Sequence, residues 1–99
     1  MFKYWAIKKY TNKLRKKLKK RYGEKQYYSG SQVRSTVYHC NFNPKYLPLG
    51  YILHLSDQEL KNVLGLEYPT LCVRSYKQDI LSFLNSKNFQ GKLPRLIQD

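Results

Sequence analysis

The chain has 99 residues, 41% of them apolar, and a formal charge of +13 from 19 Lys and Arg against 6 Asp and Glu. That length admits one domain with one modest core, and the apolar fraction excludes disorder throughout. The charge is local: residues 1–25 hold eleven basic residues against Glu24 alone, and residues 26–99 hold eight against five, so a basic segment, not a basic average, calls for a polyanionic partner or for solubility.

Residues 2–22 are predicted as one long amphipathic helix, because Ile7, Tyr10, Leu14, Leu18 and Tyr22 recur at spacings of three and four. Gly23 stands where a left-handed residue closes a helix, after a last turn rich in Lys and Arg that suits the helix dipole. A short linker follows. Ser29 and Gln32 then have capping-box spacing ahead of a stripe of Val33, Thr36, Val37 and Cys40. Asn41 suits a left-handed stop, and Asn43-Pro44 reads as a turn.

Between residues 44 and 55, Pro48 and Gly50 oppose a regular helix through the middle. Leu49, Tyr51, Leu53 and Leu55 alternate as in a strand, but no second clear strand exists to pair with it. The expectation is a loop leading into a short buried helix from about Leu49. Ser56 and Glu59 open a further short helix that ends near Gly65. Pro69 is placed in the first turn of a final helix lined by Cys72, Val73, Tyr76, Ile80, Phe83 and Leu84. Residues 86–99, with Gly91 and Pro94, are expected to fray. The sum is an all-α single domain over 1–99, of four to five short helices, with the basic segment 1–23 as its N-terminal helix.

The stretches "FKYWAIKKY", "QVRSTV" and "CNFNPKYLPLGYILHLS" together resemble a family of small hypothetical proteins of marine gammaproteobacteria. The resemblance covers about residues 2–60. It implies a small bacterial domain and carries no activity and no site residue across.

The basic segment holds the one surface with a functional signal. At about 100° per residue, Trp5 points nearly opposite the Ile7–Leu14–Leu18 stripe, and Phe2, Lys9, Asn12, Lys16, Lys19 and Lys20 lie within about 60° of it. Like charges at i, i+4, such as Lys9–Lys13 and Lys16–Lys20, each oppose an isolated helix by about 0.2–0.5 kcal/mol. Nothing inside the segment neutralises them, whereas phosphates would. The first reading is therefore weak, sequence-tolerant nucleic-acid binding through Trp5, Lys9, Lys13, Lys16, Lys19 and Lys20. Lysines follow phosphates, while Trp5, Tyr27 or Tyr28 can stack on bases. The face lacks the mixed Arg, Asn and Gln set that reads base edges. One alternative is a protein-interaction or homo-oligomer module whose basic face only solubilises, since ten tyrosines favour interfaces. Another is peripheral binding to an anionic membrane, for which Phe2 and Trp5 make a thin anchor.

Other chemistry is weakly signalled. Tyr10, Tyr22, Tyr51 and Tyr76 sit on apolar faces and are assigned to the core, whereas Tyr27, Tyr28, Tyr38 and Tyr46 are less obviously buried. Residues 31–55 permit a helix-turn-helix, but "YLPLGYILHL" is too apolar to enter a DNA groove. His39, Cys40, His54 and Cys72 lack the paired spacing of a zinc site. Cys40 or Ser56 with His39 or His54 is a pairing that any chain with two histidines allows. No metal or other cofactor is expected, nor enzymatic activity. Lys8 and Lys9 interrupt any apolar leader, and two cysteines fit a reducing compartment as well as one disulfide, so a cytoplasmic protein is expected.

Overall fold

The computed structural model describes residues 3–86 and places in them six α-helices and no strand. These are α1 (Tyr4–Asn12), α2 (Leu14–Tyr22), α3 (Gly30–His39), α4 (Leu47–His54), α5 (Asp57–Glu67) and α6 (Val73–Ser86), with a 3₁₀ turn at Pro44–Tyr46 running directly into α4. The all-α architecture is the expected one. Phe2 and the expected frayed tail beyond Ser86 lie outside the described residues.

The single helix expected over 2–22 is two helices, interrupted at Lys13, whose backbone has φ −114° and ψ −27°. Two i→i−4 bonds still tie Lys13 to both halves: Lys13 N–H donates to the Lys9 carbonyl at 2.8 Å, and Lys17 N–H donates to that of Lys13 at 3.2 Å. The apolar stripe therefore stays in phase, with Ile7, Tyr10, Leu14 and Leu18 all buried. The halves have different neighbours: α1 lies on α4 and the 3₁₀ turn, and α2 lies on α3. A bend between them lets each follow its own partner, as helices commonly curve around a core. Counting the two as one bent rod leaves five helices.

Magnitudes explain why so charged a segment folds. The like-charge pairs oppose the rod by about 0.2–0.5 kcal/mol each. Each buried large apolar side chain contributes roughly 1.5–3 kcal/mol, and four are buried here. Gly23 closes the rod with φ 86°, its N–H donating to the Lys19 carbonyl at 2.9 Å.

Helix α4 is the centre of the core and begins two residues before the expected Leu49. Pro48 is tolerated because it lies in the first turn, where backbone N–H groups have no intrahelical acceptor. Leu47, Pro48, Leu49, Gly50, Tyr51, Ile52 and His54 are all buried. A Cβ on Gly50 would lie 3.2 Å from side-chain atoms of Leu14, Tyr10 and Val33, so the absent side chain lets the rod and α3 close on α4. Tyr46, whose burial is less obvious from the sequence, is buried; its hydroxyl accepts from the Lys3 N–H at 2.6 Å and pins the start of α1. The Tyr10 hydroxyl donates to the Asn43 carbonyl at 2.6 Å, and burial raises its pKa well above that of a free phenol.

The caps follow the sequence closely. Ser29 and Gln32 form the reciprocal capping box of α3, and Asn41 takes φ 59°. Ser56 accepts from the Glu59 N–H at the start of α5. Glu59 does not return the bond; its carboxylate accepts from Gly30 N–H at 3.3 Å, joining two helix N-termini. Helix α5 runs past Gly65 to Glu67, because the Glu67 carboxylate is held by the Tyr51 hydroxyl at 2.7 Å and by Arg34. Pro69 does not open the last helix. It occupies the second position of a turn closed by Leu71 N–H on the Tyr68 carbonyl at 3.0 Å, a position for which proline is equally suited. Helix α6 starts at Val73 and buries Ile80 and Leu84.

If the stripe phase set by the bent rod carries the stability, Leu14→Ala should lower the unfolding free energy by about 2–5 kcal/mol, whereas exposed Lys17→Ala should change it by less than about 0.5 kcal/mol. Urea titrations followed by circular dichroism measure both, and equal effects would contradict the packing described.

Candidate functional site

Trp5 leaves the core on the first turn of α1 and is 75% exposed. Its neighbours hold it in place. The Tyr4 ring meets it edge-on at 5.7 Å and 70°, and Tyr4 itself leans on Phe83 of α6 at 6.4 Å. The Lys8 ammonium lies 5.1 Å from the Trp5 ring centre, within the range of a cation–π contact. Trp5, Lys8, Lys9, Asn12 and Lys13 line an open recess of about 430 Å³. The lining holds three amines, one amide and no acid.

The structure thus brings together three of the six expected residues, Trp5, Lys9 and Lys13. Lys16, Lys19 and Lys20 lie further along the rod on α2. Lys9 reaches over the Phe42 ring, 4.7 Å from its centre. Glu24, just past the Gly23 turn, departs from the expectation that nothing neutralises the segment: it pairs with Lys19 at 2.6 Å and, more loosely, with Arg15 at 4.0 Å. The Lys19–Glu24 hydrogen bond raises the Lys19 pKa and lowers that of Glu24. Both groups are fully exposed, so the pair adds little to stability. Arg15 donates to the Lys25 carbonyl at 2.8 Å, and Arg21 donates to Ser35 at 3.4 Å. Lys13, Lys16, Lys17 and Lys20 are exposed and have no ion pair among the described residues. These four carry the uncommitted charge.

Lys8 is a site residue beyond the six expected, and its i, i+3 relation to Trp5 is the sequence signal that marks it. Lys17 is a further exposed lysine on α2, outside the six expected. Of the tyrosines proposed for stacking, Tyr27 is exposed. Tyr28 is buried, its hydroxyl donating to the Gly23 carbonyl at 2.7 Å and its ring against His54, so it is not available to a ligand.

The weaker motifs are dispersed. Helix α4 is core, which removes it as a recognition helix. His39 is exposed at the end of α3, His54 is buried at the end of α4, and Cys40 and Cys72 are free thiols. Ser56 serves as a helix cap. Among the described residues no three His, Cys, Asp or Glu side chains lie together in a metal-binding group, and no helix is long and apolar enough to cross a membrane. A second open recess, about 400 Å³, is lined by residues from Glu67 to Cys72 with Ser75, Tyr76 and Asp79.

Fold and surface define a small all-α protein with an exposed tryptophan set in a lysine-lined recess. The chain belongs to DUF6559, a family of unknown function whose model matches residues 1–92. No curated protein and no solved structure matches it.

Cys72 is exposed, and hydrogen bonds from the Ser75 side chain and backbone lower its pKa. In a Cys40→Ala variant, labelling by a disulfide reagent should therefore reach half its maximal rate at a lower pH than for free cysteine. Ser75→Ala should move that midpoint upward; a midpoint unchanged by Ser75→Ala would remove the cause given.

Proposed function

We propose that the protein is a non-enzymatic binder of nucleic acid, acting through the basic face of α1 and α2 with little regard to sequence. The observation that supports this most directly is the uncommitted charge: Lys13, Lys16, Lys17 and Lys20 project from one rod with no acidic partner, and the Trp5 recess adds Lys8 and Lys9. Neutralising phosphates with lysines releases counterions and gives sequence-independent affinity. Lysine-rich faces hold phosphates as point charges and lack the planar forks that read bases. A bacterial cytoplasm suits the reading, because nucleic acid is an abundant polyanion there, and the likeness of residues 2–60 to marine gammaproteobacterial proteins supports that setting.

Self-association is a second reading, favoured by Tyr38 and Leu66, which are 59% and 84% exposed. Membrane binding has less support. The apolar stripe of the rod is spent in the core, which leaves Trp5 as the one large apolar group on its outer face among the described residues.

Binding measured across a salt series should give log K falling against log salt with a slope of about −3 to −4, for roughly four phosphates neutralised. Lys16→Glu with Lys20→Glu should flatten the slope by about 1.4–1.8. Glu24→Gln, which releases Lys19, should steepen it by about 0.7–0.9. Absence of binding to any DNA or RNA at low salt would refute the proposal, and a concentration-dependent dimer in sedimentation would then favour self-association.

A further inference from the structure

We infer that the Trp5 recess is a nucleobase subsite, so that the nucleic acid bound is single-stranded, with one unstacked base lying on the Trp5 ring and its flanking phosphates on Lys8, Lys9 and Lys13. The inference rests on the nucleic-acid reading and sharpens it. Four observations converge on this place. Trp5 offers an aromatic surface that is 75% exposed. Tyr4, which lies between Trp5 and Phe83, packs against the Trp5 ring edge-on, so part of the ordering that stacking needs is already in place. The recess, at about 430 Å³, falls within the size range of small-ligand sites, about 300–1,000 Å³. Its rim is cationic with no acid, so the charge it complements is negative.

A ligand that is both aromatic and anionic satisfies all four, and a nucleotide is one. In a duplex the base faces are covered by their neighbours and cannot reach Trp5. In a single strand they can, and stacking is tolerant of sequence because every base has a π face. The Lys8 ammonium over the Trp5 ring can move from the ring to a phosphate as the base arrives, and the Asn12 amide can meet a base edge.

The position of the recess also sets a length. It lies at the N-terminal end of the lysine row. From Trp5 to Lys20 the rod extends about 22 Å at 1.5 Å per residue, and a strand must span that distance to meet the whole lysine row. The strand would run from the Trp5 recess along Lys13, Lys16 and Lys20, past Lys17 and clear of the paired Lys19.

The test uses the full chain, with oligothymidylates of increasing length and a duplex of matched charge as probes. Trp5 is the sole tryptophan, so its emission reports the subsite alone. Single strands should quench Trp5, and affinity should rise with length and level off once the strand spans the distance from the Trp5 recess to Lys20. Trp5→Ala should weaken single-strand binding by about tenfold and duplex binding by less than about twofold; Trp5→Phe should retain most of the affinity. At this exposure neither substitution disturbs the core, which circular dichroism checks. Single-strand binding with silent Trp5 emission, or equal losses for strand and duplex in Trp5→Ala, overturns the subsite while leaving the basic-face reading in place. Failure of both probes to bind overturns both. A blue shift of Trp5 on phosphatidylserine vesicles, with no response to oligothymidylate, overturns both in favour of a membrane surface.

Discussion

The packing turns on the crossing at Gly50. An apolar helix of eight residues can be buried on nearly every side only if its neighbours come close. At Gly50, the side chains of Tyr10, Leu14 and Val33 occupy the space a Cβ would need. Tyr10 and Leu14 flank the interruption of the basic rod at Lys13. The bend, the burial of α4 and the seating of α3 are therefore one arrangement. Glycine inside a helix is unfavourable by about 1 kcal/mol relative to alanine, a small amount beside the burial of Leu47, Leu49, Tyr51 and Ile52 that the close approach permits.

Around that crossing, polar contacts join helices distant in sequence. Glu67 accepts from Tyr51 of α4 and pairs with Arg34 of α3, and Glu59 reaches the N-terminus of α3. Burial and the bond to Glu67 both raise the Tyr51 pKa. Glu67 and Glu59, the second of which the sequence offers only as a capping partner for Ser56, thus lock α5 to the core. Glu24 acts similarly on the basic side by closing on Lys19. With three of the six acids occupied in these contacts, little negative charge is left to balance the rod.

What could be read from the residues, and what could not, divides along physical lines. Caps and stops were legible because they depend on a few adjacent residues: Ser29–Gln32 and Asn41 behave as their spacing implies, while Gly23 stops the rod with a positive φ but an extended ψ of 174° and Ser56 caps α5 without a return bond from Glu59. The outward direction of Trp5 was legible because helical phase is local. Pro69 misled because proline fits a helix's first turn and a turn's second position equally, and only the packing of α6 selects between them. The burial of Tyr28 and Tyr46 was not legible because it comes from elements far along the chain: α4 covers one, and the start of α1 covers the other. Within the site, the i, i+3 partner Lys8 was readable in principle, whereas the loss of Lys19 to Glu24 needed the path of the chain after Gly23.

The sequence by itself determined the helical class, the caps, the apolar stripe of the rod and the concentration of positive charge opposite it, because each follows from residue type and short-range periodicity. Tertiary structure alone decided that the rod bends at Lys13, that α4 starts at Leu47 and sits at the centre, and which lysines stay uncommitted. Those outcomes depend on whether groups far apart in the chain come within contact distance, and no local pattern encodes that distance.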